Sequence, residues 1–92
     1  MNYLKNKTFR LIVKSAISKT GENAVLLDLE SGIYFELNDV ALLIVENLKE
    51  YTSLNEIKRI VSNNFEILES ESEKDIITFL QELFERDFLE IK

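Results

Sequence analysis

The sequence predicts an α+β fold: a three-stranded antiparallel sheet followed by three helices, resembling a winged helix-turn-helix in a different strand order. Three observations predict it. Before Asn38 apolar and polar residues alternate with a period of two, whereas after it they recur at i, i+3, i+4 and i+7. The only two glycines, Gly21 and Gly32, fall between alternating segments, where turns need a residue tolerant of positive φ. No proline, long polar tract or internal repeat interrupts the chain, so residues 1–92 read as one domain.

Residues 1–7 are expected to form a loose lead-in. Thr8 to Ile17 is rich in β-branched and aromatic residues and reads as the first strand. After a turn at Ser18 to Glu22, Asn23 to Glu30 forms the second, with Val25, Leu27 and Leu29 on one face and Ala24, Leu26 and Asp28 on the other. The third follows the Ser31-Gly32 turn, with Ile33, Phe35 and Leu37 alternating against Tyr34 and Glu36. A meander with the second strand in the middle leaves the first and third as edges. The third carries a single charge, Glu36, and neither Lys nor Pro to blunt it, so it calls for a partner or a covering element.

Asn38 is a favoured N-cap residue and opens a helix to about Lys49, with Leu37 and Leu42 at the spacing of a hydrophobic staple and Ala41, Ile44, Val45 and Leu48 facing inward. Ser53-Leu54-Asn55-Glu56 is a capping box for a second helix to about Asn63. Its inward residues are Leu54, Ile57, Ile60 and Val61. Phe65 and Ile67 form an apolar link, Ser72-Glu73-Lys74-Asp75 caps a third helix to about Arg86, and Phe88 to Ile91 closes the chain in extended form.

With neither cysteine nor histidine, the chain has no disulfide, no thiolate metal site, and neither the commonest general base nor the commonest metal ligand. No cofactor or metal is therefore expected. Tyr3, Tyr34 and Tyr51 have no such groups to work with, and the reading is not an enzyme. The longest apolar run near the N-terminus, Leu11-Ile12-Val13, is too short for a signal sequence, and nothing approaches the roughly 18 apolar residues of a membrane span. A cytoplasmic location follows as the expectation. Residues 1–20 carry five bases and no acids, whereas the rest carries a net −11, so the folded body repels phosphate backbones and membrane surfaces.

On a wheel of about 100° per residue, Ile76, Ile77, Phe79, Leu80, Leu83 and Phe84 span an apolar arc roughly 160° wide, where one core-facing stripe needs about 100°. Either this helix is wedged between sheet and helices, or its surplus flank faces the third strand across an open groove. A groove with an open backbone edge on one wall and apolar side chains on the other is the anatomy of peptide recognition by strand addition.

Val25-Leu26-Leu27-Asp28 followed by Ser31-Gly32-Ile33-Tyr34-Phe35-Glu36-Leu37-Asn38 resembles the signature of PqqD-like proteins, the peptide-recognition elements of pathways that make natural products from ribosomal precursors. The resemblance extends through Ala41, Ile44-Val45, Ser53 to Ile57, and Asp75 to Leu83 with Asp87-Phe88, nearly the whole chain. It departs at Val45, where the family often has Trp, and at Asp87, where it often has Gly. What the resemblance implies is a non-catalytic domain that binds the leader of a precursor peptide and delivers it to a maturation enzyme, such as a radical SAM enzyme or a leader peptidase. The leader would add as a strand beside Ile33, Tyr34, Phe35, Glu36 and Leu37, with Tyr34, Phe35 and Glu36 pairing and Ile76, Ile77, Phe79, Leu80, Leu83 and Phe84 as pocket candidates. On this reading Leu80→Asp or Phe84→Asp weakens binding without unfolding the domain.

A DNA-binding winged helix is the rival from fold shape, but residues 69–87 hold seven acids against Lys74 and Arg86. A further alternative is an adaptor subunit whose open edge pairs with another copy, and the expected state is a monomer or weak homodimer.

Overall fold

The computed structural model describes residues 4–92. Its elements are β1 (Thr8–Leu11), β2 (Ser15–Thr20), β3 (Asn23–Asp28), β4 (Tyr34–Leu37), α1 (Asp39–Glu46), β5 (Thr52–Ser53), α2 (Leu54–Phe65), α3 (Glu69–Glu85) and β6 (Leu89–Ile91). They form the expected α+β fold, with a β2-β3-β4 meander in front of three helices and a second small sheet, β5-β1-β6.

The second sheet corrects the reading of Thr8 to Ile17 as one strand. The chain turns at Ile12 to Lys14, where the Ile12 carbonyl accepts bonds from both the backbone N–H of Ser15 (3.3 Å) and its hydroxyl (2.8 Å). Leu11 and Ile12 instead donate to the carbonyls of Leu48 and Phe88, at 2.8 and 2.9 Å. Composition alone hides this break, because Val13, a strand former by propensity, occupies the exposed corner at 87% exposure.

β3 ends at Asp28 rather than Glu30. The Asp28 carboxylate accepts from the N–H groups of Glu30 (2.9 Å) and Ser31 (3.3 Å), and the Asp28 carbonyl from Gly32 (2.8 Å). Gly32 completes the turn at φ +80°, a conformation that costs a residue without Cβ little.

Asn38 caps α1, its side chain accepting from the Ala41 N–H at 2.8 Å, and Ser53 caps α2 through the Glu56 N–H at 3.2 Å. The third helix begins three residues before the proposed cap. Its N-cap is Leu68, with no side-chain bond, and Ser72 is buried inside the helix with its hydroxyl turned back to the Glu69 carbonyl at 3.3 Å. Glu69 and Glu71 in the first turn suit the positive end of the helix dipole. At the other end Asp87 adopts the left-handed conformation, φ 63°, and the Phe88 N–H closes on the Leu83 carbonyl at 2.9 Å.

Phe9, Leu26, Val45, Ile57, Leu80 and Phe88 lie at the centre of one core that joins both sheets to the helices. Ser53→Ala is expected to cost about 1 kcal/mol. Ser72→Ala is expected to be neutral or stabilising, because an interior helical Ser gains nothing over Ala. Urea unfolding checks the pair, and equal losses at both sites would contradict this assignment of the α3 start.

Candidate functional site

β4 is hydrogen-bonded to β3 on one side, and among the described strands no other pairs with it. Antiparallel partners alternate between pairs that exchange hydrogen bonds and pairs that do not. The Asp28 N–H donates to the Ile33 carbonyl at 2.8 Å, so in this register Phe35 opposite Leu26 and Leu37 opposite Ala24 point their backbone groups into the sheet. Tyr34 and Glu36 therefore turn theirs outward. Of the strand residues singled out from the sequence, these two present the free edge.

The side chains alternate on the same residues, but perpendicular to the plane of the sheet. Leu37 is buried and Phe35 half-buried toward the helices, while Tyr34 and Glu36 are exposed on the outer face and Ile33 is also exposed. Phe35 meets Phe79 of α3 edge to face, with centroids 5.6 Å apart at 82°, and the Arg86 guanidinium lies 5.1 Å from the Phe35 ring centre.

The six apolar residues of α3 divide three ways. Ile76, Leu80 and Leu83 are buried in the core. Leu80→Asp would therefore place an unpaired carboxylate in the core and unfold the protein, contrary to the expectation from sequence. Phe79 faces β4. Half-buried Ile77 and more exposed Phe84 lie on the flank shared with Glu73, whose carboxylate pairs with Lys58 of α2. That hydrogen bond with Lys58 holds Glu73 below the ordinary Glu range.

Beside Phe79 a cleft of about 300 Å³ opens among the three helices at the Asn38 end of β4. Val40 and Ile44 of α1, Val61 of α2 and Ile67 give it an apolar lining, and Glu71 and Asp75 add carboxylates. Val40, Ile67 and Arg86 were not legible as site residues. Ile67 sits in a linker without periodicity, and Val40 lies outside the inward stripe of its helix.

The Asp28 carboxylate, which shapes the turn into β4, is held below the usual Asp range chiefly by the Glu30 N–H, with further help from Ser31 and Lys14. Among the described residues no group of three or more His, Cys, Asp or Glu is placed to hold a metal ion, and no helix is long and apolar enough to cross a membrane.

Among the described residues, a strand paired on one side only thus faces a helix beside an apolar cleft, the geometry that strand addition of a peptide requires. The family model for coenzyme PQQ synthesis protein D matches residues 23–89, and the chain belongs to this PqqD family. It is similar to a solved lasso peptide synthetase B1 complexed with the leader peptide, at 32% identity and TM-score 0.74, covering 89% of this chain and 96% of that one. It is also similar to TbiB1 in complex with the TbiA(beta) leader peptide, at 26% identity and TM-score 0.75, covering 88% and 94%. No curated protein matches the chain.

A carboxylate whose pKa is lowered on folding stabilises fully above its unfolded value, and the gain is lost as pH falls through the folded one. Asp28→Asn is thus expected to flatten the loss of stability on acidification below about pH 4. Urea unfolding across that range checks it, and an unchanged acid limb would remove Asp28 from the account.

Proposed function

We propose that this chain is a non-catalytic recognition domain that captures the leader of a ribosomally made precursor peptide. The leader adds as a strand to β4 against α3 and is presented to a modifying enzyme or leader peptidase in the cytoplasm, with residues 1–92 acting as one unit. The observation that carries this reading is the outward-facing backbone of Tyr34 and Glu36 opposite Phe79 and its cleft. Main-chain bonds along such an edge give affinity, and side-chain pockets give specificity. The leader complexes of the two similar structures support the same reading.

The test is amide exchange with and without the leader segment of the precursor encoded beside this chain. In the isolated domain the Phe35 and Leu37 amides are expected to be protected and those of Tyr34 and Glu36 to exchange freely; the leader slows the latter pair. Phe79→Asp is expected to weaken binding at least tenfold while the far-ultraviolet spectrum is retained. Tyr34 and Glu36 amides already protected in a monomer would close the edge and end the proposal.

A further inference from the structure

The groove has a direction in charge as well as in shape. α3 runs opposite to β4 across it. Glu71 and Asp75 line the cleft at the Asn38 end, whereas Arg86 lies over Phe35 at the other. Glu82 falls on the same flank of α3, between Phe79 and Arg86. Among the described residues, none of Glu36, Glu71, Asp75 and Glu82 has a cation within ion-pair distance, and Arg86 has no carboxylate.

Resting on the strand-addition reading above, we propose that the groove selects a bipolar strand, with Lys or Arg over the cleft and Asp or Glu beside Arg86. A long basic side chain suits the first position, because its aliphatic stem lies along Val40, Ile67 and Phe79 while its head reaches Glu71 and Asp75. The opposite arrangement brings an acid against two unpaired carboxylates and a base against Arg86. Asp75 on α3 and Arg86, the residue that caps it, are eleven residues apart, or about 16 Å at 1.5 Å per residue, which spans about five residues of an extended chain. Strand side chains face one wall at every second position, so the two charges stand four or six residues apart. Antiparallel addition continues the order of the meander and has the more favourable bond geometry, so the basic residue comes first in the bound chain.

The test selects a displayed library of random twelve-residue peptides on the full chain and on a charge-reversed variant, Glu71→Lys with Asp75→Lys and Arg86→Glu. All three positions are exposed, so the fold is retained. Peptides that slow exchange at Tyr34 and Glu36 are expected to carry Lys or Arg four or six positions before Asp or Glu. On the variant the order is expected to invert, and peptides chosen on the native chain bind it about tenfold more weakly at low salt. Peptides that protect both amides but show no charge order, or the same order on both proteins, overturn the polarity and leave strand addition standing. Binders that leave both amides untouched, or no binders at all, overturn strand addition and the polarity with it.

Discussion

A strand with one free edge must be held by everything except that edge. β4 is four residues long and, among the described strands, paired on one side only, so its rigidity comes from its ends and from the side chains it points inward. The Asp28 turn fixes one end, and at the other Asn38 turns the chain directly into α1. Between them Leu37 is buried and Phe35 rests on Phe79. These contacts use the side-chain face and the β3-facing amides, and leave the Tyr34 and Glu36 amides unspent.

The same logic explains why the helix arc is so wide. α3 buries Ile76, Leu80 and Leu83 in the core, turns Phe79 toward β4, and sets Ile77 and Phe84 on the flank shared with the Lys58–Glu73 pair. The two sequence readings, a wedged helix and a groove-lining one, therefore describe different sides of one helix. β6 then returns the chain along β1, with Phe9 opposite Ile91 and Leu11 opposite Leu89, so the end of α3 is anchored to the start of the domain.

Where periodicity and local chemistry agree, the sequence was a sufficient guide. The order of the meander, the caps at Asn38 and Ser53 and most of the inward stripes of α1 and α2 were legible, because each follows from a pattern a few residues long, although Ile60 of α2 is only half-buried. The break at Ile12 to Lys14 was not, because it is imposed by the distant carbonyls of Leu48 and Phe88 rather than by any turn-forming residue. The start of α3 was misplaced for a related reason: a Ser followed three residues later by an acid imitates a cap, and only burial of Ser72 shows it to be interior. Which α3 residues face β4 was likewise out of reach, since a helical wheel has no origin until the neighbours are placed.

The uneven charge of the chain acquires a meaning only in three dimensions. Three of the five bases at the start of the sequence are paired with acids: Arg10 with Glu90 at 2.9 Å, Lys14 with Glu30 at 3.1 Å and Lys19 with Glu46 at 2.8 Å. Exposed pairs of this kind add little stability, so their consequence is where they leave the surplus. Each neutralises an acid away from the cleft, and Lys58 does the same for Glu73 on the far flank of α3. Among the described residues, the carboxylates left without an ion-pair partner include Glu71 and Asp75, which frame the groove. In the proposed function, a field concentrated beside the free backbone edge acts on an approaching chain before any hydrogen bond forms, and so favours encounter in one orientation.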